Sequence, residues 1–308
     1  MRDFEPSRRR GRRARRFDDD EGELLATRGT GRHHEDPAPD GPDQGDRWST
    51  WDLSAAGERG PQPYPHWLVT ELAAVDTELG VLKTGKEADV HLIRRGVPDT
   101  TRECVLAAKR YRGSEHRLFH RDAGYLEGRR VRRSRETRAM ANRTAFGRQV
   151  IAGQWAVAEF AVMSQLWLAS HDLGAPVVPY PVQLLGTEVL MEFIGDHDTC
   201  QAAPRLVQLR PDPPQLGDLW EQLLAAVSLL ARLGLTHGDL SPYNILVHEG
   251  RLVLIDLPQV IDVVANPRGP DLLSRDVRVV SEWFAARGLP DPDPERVAAD
   301  LLADAGVR

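Results

Sequence analysis

The stretch "THGDLSPYNILVHEGRLVLID" (236–256) constrains this chain more than any other. Within it, "NILVHEGRLVLID" (244–256) sets apolar residues on both sides of Glu249-Gly250, the pattern of a β-hairpin with a tight turn. A hairpin returns its chain, so Asn244 at its start and Asp256 at its finish lie at the same end. Asp239 stands five residues before Asn244, in a loop that follows "GDLWEQLLAAVSLLARLG" (217–234). Leu219, Leu223, Leu224, Val227, Leu230 and Leu233 recur there at helical spacing and Gly234 closes the run, so it reads as a long helix with a glycine C-cap. Three oxygen-bearing side chains, Asp239, Asn244 and Asp256, therefore converge where a core helix ends.

Hard oxygen ligands of this kind suit Mg²⁺, which keeps several waters and shares substrate phosphates. Phosphoryl transfer uses such a set: one aspartate to orient or deprotonate the acceptor, an amide and a second aspartate to hold metal, and a cation on the phosphates. Lys109, near the end of the strand "ECVLAAKRYR" (103–112), is the candidate cation. Its candidate partner is Glu159, in the helix "VIAGQWAVAEFAVMSQLWLASHDLG" (150–174), which Gly174 caps. A charge among alanines, valines and aromatics needs a partner, and a carboxylate would keep a buried lysine charged and aimed. His237 is expected to pack and to hydrogen-bond the loop backbone, since metal sites of this type favour oxygen.

The rest of the folded region fits around these residues. "HWLVTELAAV" (66–75) reads as a short helix, and "ELGVLKTGKEADVHLIRRG" (78–96) as two strands joined by a turn at Thr84-Gly85-Lys86. "TEVLMEFIG" (187–195) reads as a buried strand running to a glycine hinge, and "DLLSRDVRVVSEWFAARG" (271–288) as the last helix. The order is a small antiparallel sheet with one inserted helix, then a mostly helical half. That is an α+β, two-lobed arrangement with a ligand cleft between lobes. The expected divisions are a disordered, charged tail over 1–62, an N-lobe over 63–195 with a flexible arginine-rich insertion at about 112–148, and a C-lobe over 196–308.

Composition limits the function classes. The net charge of −6 gives no overall attraction to nucleic acid, but "RRRGRRARR" (8–16) and the seven arginines of 126–143 are local exceptions. Each run reads either as a contact to RNA or ribosomal phosphates or as a solvated segment, the first with "DDDEGE" (18–23) beside it to compete for the arginines. Two cysteines without a CxxC or Cys/His cluster suggest neither zinc nor a disulfide framework. No apolar run suggests a signal peptide or a membrane span, and the longest, at 223–235, contains Arg232. A soluble, cytoplasmic protein with no membrane partner is expected.

"HGDLSPYN", "LIDLPQ", "KTGKEADV" and "AAKRY" resemble the RIO family of atypical protein kinases. The likeness extends through "QWAVAEF", "VLMEFIG" and "NPRGPDLLSRDVRVV" and covers roughly residues 66–288 in the expected order. The resemblance implies a protein-kinase-like fold without the usual activation segment. Only about fifteen residues separate Asp256 from the last helix, and no "APE" follows. It implies that Asp239 is the catalytic aspartate, that Asn244 and Asp256 hold Mg²⁺ (with Mn²⁺ as a substitute), and that Lys109 contacts ATP and is paired by Glu159. By the same likeness Met191, Glu192 and Ile194 lie along the adenine-contacting hinge, and Thr84, Gly85, Lys86 and Glu87 cover the phosphates. The implied activity is ATP-dependent phosphorylation of protein serine or threonine, autophosphorylation included, with Ser134 a candidate site. Alternatives are an ATPase switch on an RNA or ribosomal particle, working through a phosphorylated aspartate at Asp256, and a small-molecule phosphotransferase of the aminoglycoside type. The chain departs from the family's common form at Gly238, Pro242 and Pro258, where alanine, glutamate and serine are more usual. No charged catalytic group is lost.

Overall fold

The computed structural model describes residues 41–113 and 145–307; those from Gly41 onward belong to one unit. Six strands make one sheet in its upper lobe: β1 (Arg47–Trp48), β2 (Val75–Thr84), β3 (Ala88–Gly96), β4 (Glu103–Tyr111), β5 (Pro181–Leu185) and β6 (Glu188–Glu192). Their order is β1-β2-β3-β4-β6-β5, with every neighbouring pair antiparallel. Helix α1 (Ala145–Ala169) packs against this sheet, continues into a short 3₁₀ turn (Ser170–Leu173), and ends on Gly174 in the left-handed conformation.

Alternation along β4 decides what each face does. Cys104, Leu106 and Ala108 point into a cluster with Ile93, Val182 and Leu190 on one side. Tyr111 joins Ala152, Ala156 and Phe160 of α1 on the other side, the side to which Lys109 also belongs by period two.

The first of these faces is covered by a segment expected to be disordered. Residues 47–60 cross it as a strap. Trp48 pairs with Val75 at one end, Arg59 bridges Gln183 of β5 at the other, and Trp51 is buried between them at 4% exposure. Gln183 donates to the carbonyl and hydroxyl of Thr50 and to the Ser54 hydroxyl, fixing the crossing. The expected tail boundary at 62 is thus corrected for residues 41–62; residues 1–40 lie outside the described residues. Averaged composition hid the strap, because one buried tryptophan in a polar stretch anchors more apolar area than the mean suggests.

The helix expected at 66–75 is also corrected. Leu68, Val69 and Ala74 are buried beside the strap, in turns rather than a helix. Arg102 donates to the carbonyls of His66 and Leu68, satisfying them by a route no helix would use. The arginine-rich stretch 114–144, Ser134 included, lies outside the described residues.

The lower lobe is built on α2 (Pro213–Arg232), which follows the tiny ladder β7–β8 (Gly195–Asp196, Gln201–Ala202). Asp212 caps α2 by accepting from the Gln215 amide, and Pro213 follows it, so the helix begins four residues before the apolar pattern read from 217. After α2 come β9 (Leu235–Thr236), the hairpin β10–β11 (Ile245–His248, Arg251–Leu254), β12 (Ile261–Asp262), α3 (Gly269–Ala285) and α4 (Pro294–Asp304). The hairpin turns at Glu249 (φ 50°) and Gly250 (φ 77°), as its sequence predicts. Strand β5 and helix α4 were not anticipated. Among the described residues no helix is long and apolar enough to cross a membrane.

Candidate active site

Between the lobes lies a cleft of about 1010 Å³. Lys109 reaches into it from β4, held at 2.7 Å by Glu159 Oε1 of α1 and at 2.7 Å by Asp256 Oδ1. The lysine therefore ties the upper-lobe sheet and helix to the residue that follows the lower-lobe hairpin. Burial alone would lower its pKa, but Glu159 and then Asp256 hold it well above the usual lysine range.

Glu159 is 2% exposed and its oxygens are used three times. It accepts from Lys109, from the Tyr111 hydroxyl and, at 3.1 Å, from the Leu257 amide. The partnership read from the sequence is present, with Tyr111 and the Leu257 backbone as members it did not reveal.

Asp256 adopts φ 68°, which costs a non-glycine residue about 1–3 kcal/mol. Lys109, the largest influence on its carboxyl, keeps it below the usual carboxylate range and so ionised. The Ile255 amide donates to the Asn244 carbonyl at 3.0 Å, which brings the two ends of the hairpin together as expected. Asn244 is buried and its Nδ2 donates to the Asp239 carbonyl at 2.9 Å. This commits the amide nitrogen and turns Oδ1 away from that carbonyl.

An ionised carboxylate and an amide oxygen suit Mg²⁺, which takes one or two protein oxygens and completes its shell with water and phosphate. Among the described residues there is no group of three or more His, Cys, Asp or Glu that could hold a metal ion.

Asp239 lines the cleft, and its loop is gripped by α3. Asp276, 2% exposed, accepts from the Gly238 amide at 2.7 Å, the Leu240 amide at 3.0 Å and the Thr236 hydroxyl at 3.2 Å. Burial raises its carboxyl pKa, while His237 and these donors oppose the rise. Its neighbour Arg275 donates to Asp239 Oδ1 at 3.0 Å and to the Gly238 carbonyl at 3.4 Å.

Neither Arg275 nor Asp276 was singled out in the sequence, where "SRDVR" is simply part of the last predicted helix. A consecutive Arg-Asp seven residues from a helix start carries no spacing signal toward a loop some 36 residues earlier. Gly238 adopts φ 79°, and a Cβ there would lie 2.4 Å from the Gln259 carbonyl oxygen. His237 contacts the Ile255 carbonyl at 3.1 Å, the backbone role expected of it.

The remaining predicted residues divide. Gly85, Lys86 and Glu87 of the β2–β3 turn line the cleft, as do Met191, Glu192 and Ile194. Thr84 and Asn244 are not in its wall. The hinge is positioned by register, with Met191 opposite Ala107 in the ladder. Glu192 turns its carboxylate to the Tyr180 amide at 2.9 Å, and burial raises its pKa. Lys83 and Arg205 also line the cleft from opposite lobes. Burial and the neighbouring Arg205 lower the Lys83 ammonium pKa, and Asp256 opposes them.

Comparison with known proteins places these features in context. The family model described as "RIO domain" matches residues 106–297. The chain is 30% identical over 233 residues to the RIO-type serine/threonine-protein kinase Rio1 of Haloferax volcanii, covering 75% of this chain and 71% of that one. It is 29% identical over 233 residues to the serine/threonine-protein kinase RIO1 of Chaetomium thermophilum, of which it spans 42%. A crystal structure of a Rio2 kinase–ADP/Mg²⁺–phosphoaspartate complex from Chaetomium thermophilum aligns with a TM-score of 0.48 at 20% identity, over 75% of this chain and 67% of that one.

Proposed function

The chain belongs to the RIO domain family, and from that premise we propose that it transfers the γ-phosphoryl group of ATP to serine or threonine hydroxyls of a protein. One observation carries the reading: Lys109 bridges Glu159 and Asp256 at 2.7 Å each, in a cleft that Asp239 also lines. The upper lobe is taken as residues 41–195 and the lower as 196–308.

The adenine lies against the Met191–Ile194 hinge and the phosphates lie under the Gly85–Glu87 turn. Lys109, kept protonated by two carboxylates, turns its ammonium to the phosphate oxygens when nucleotide enters. Asp239 orients the acceptor hydroxyl and takes its proton. The hydroxyl oxygen bonds the γ-phosphorus, and the bond from that phosphorus to the β–γ bridging oxygen breaks, so ADP leaves with the electron pair. Asp256 and Asn244 would hold Mg²⁺, which supplies charge neutralisation on the phosphate oxygens. Both cysteines, Cys104 and Cys200, are free thiols, which supports a reducing, cytoplasmic setting.

The test is an assay with γ-labelled ATP and Mg²⁺ on the wild type, Asp239→Ala and Asp256→Asn. Acid-stable label on serine or threonine, lost in Asp239→Ala with nucleotide binding kept, is the expected result. Free phosphate with only an acid-labile acyl label, lost in Asp256→Asn, would replace the reading with an ATPase. Consumption of ATP on amino sugars alone would replace it with a small-molecule kinase. Contact with RNA or a ribosomal particle through residues 8–16 is tested by salt-dependent RNA binding of the full chain, with those arginines neutralised as control.

A further inference from the structure

Asp239 is held at almost every polar handle around it. Its carbonyl accepts from Asn244, and the amides on both sides, Gly238 and Leu240, donate to Asp276. Those contacts fix the main chain. The carboxylate itself is held by Arg275, whose second terminal nitrogen takes the Gly238 carbonyl.

The two grips differ in environment. Asp276 is buried at 2%, so it belongs to the core. The Arg275 side chain is 39% exposed and is not part of the cleft wall, so it reaches Asp239 from outside the nucleotide site.

We propose that Arg275 is a positioning residue for phosphoryl transfer: its guanidinium sets the direction of the Asp239 carboxylate toward the acceptor hydroxyl from the side away from the nucleotide. This rests on the reading of Asp239 as the acceptor-orienting aspartate.

The argument is one of unequal consequences. An ion pair exposed on both sides, 39% and 30% here, contributes little to folding. A carboxylate with one of its oxygens fixed by a planar, permanently charged donor loses rotational freedom that the reaction would otherwise have to remove. A misplacement on the order of 1 Å can cost roughly a hundredfold in rate. The same side chain is therefore nearly silent in stability and prominent in turnover, a combination that a purely structural role does not produce. Asp276 cannot show this split, because its loss uncouples three buried donors at once.

The experiment uses the full chain with Mg-ATP, scoring label on the chain itself and on dephosphorylated casein for wild type, Arg275→Met, Arg275→Lys and Asp239→Ala. Binding of a non-hydrolysable ATP analogue and melting temperature are measured alongside. Arg275→Met is expected to lower kcat roughly 10- to 100-fold, with analogue binding within twofold of wild type and melting within about 2 °C. Arg275→Lys, which keeps the charge but not the fork, is expected to recover part of that loss.

Full turnover in Arg275→Met while Asp239→Ala is inactive overturns this inference and leaves the proposed function standing. A Met variant that melts more than about 5 °C lower, or loses analogue binding, makes Arg275 structural and also overturns it. So does a Lys variant no better than Met. Undiminished transfer in Asp239→Ala, or none in the wild type, overturns the underlying reading instead.

Discussion

Replacing Glu159 by glutamine removes one charge from the cleft and almost nothing else. The side chain keeps its volume at a position only 2% exposed. The remaining oxygen can accept from Lys109 and the Leu257 amide, and the new NH₂ meets the Tyr111 hydroxyl, which can turn to accept. What is lost is one of the two negative charges that hold a buried ammonium. Stripping a buried ion of its whole partner costs about 3–5 kcal/mol. Asp256 stays and a neutral hydrogen bond replaces the charged one, so the lower figure for a charge-assisted bond, about 2 kcal/mol, is the better measure.

That corresponds to roughly a thirtyfold fall in kcat/KM for ATP, at about 1.4 kcal/mol per decade, and to melting about 4–8 °C lower. The pH dependence carries a second signature. Because the folded Lys109 pKa is raised, its stabilisation is complete below the ordinary lysine value, about 10.4, and fades only as pH rises through the higher folded value. In Glu159→Gln that alkaline fade moves toward neutral pH. Steady-state kinetics near neutral pH and melting curves carried from about pH 6 to about pH 11.5 measure both. Melting within 1 °C of wild type together with kcat/KM within about twofold would refute the bridge as the organising contact.

The other predictions concern the loop, the ion pair and the strap. Asp276→Asn sets an amide NH₂ against donors that now face a carboxylate, and should lower stability by about 2–3 kcal/mol in denaturant titrations and abolish turnover. Gly238→Ala forces a Cβ toward the Gln259 carbonyl at a left-handed φ, and should cost about 1–3 kcal/mol by the same measurement. The depressed Asp256 carboxyl contributes stability above the ordinary aspartate value and loses it as pH falls through the folded value. The melting difference between wild type and Asp256→Asn should hold steady above about pH 5 and shrink below about pH 4. Trp51→Ala, at a fully packed position in the strap, should cost about 3–5 kcal/mol by thermal or chemical unfolding.

The residues proposed to carry chemistry were legible because their spacing is tied to short-range geometry. A hairpin brings Asn244 and Asp256 to one end whatever surrounds it, and a lone acid in an apolar helix asks for a cation. Lys109 answered because strand alternation set its face. What remained hidden depends on contacts between distant segments. Asp276 and Arg275 act on residues about 36 positions earlier, and Arg102 holds the 66–68 turn from about 34 positions away. Thr84, placed over the phosphates by resemblance to the family's turn, is not among the residues that line the cleft, while its neighbours Gly85, Lys86 and Glu87 are. The strap was misread because sequence averages dilute the one aromatic that anchors it.

That strap also governs how copies of the chain behave toward each other. Open strand edges invite pairing between molecules. The upper sheet has two such edges, on β2 and β5, and residues 46–60 close part of both: the Asp46 amide donates to Asp76 of β2, the Ser49 amide to Ala74 just before it, and the Gly60 amide to Val182 of β5. The uncovered half of β2 has bulges near Gly80 and Lys83, which discourage a straight partner strand. Cutting the chain after residue 62 would leave both edges bare, and a protein so shortened should form sheet-linked oligomers during storage.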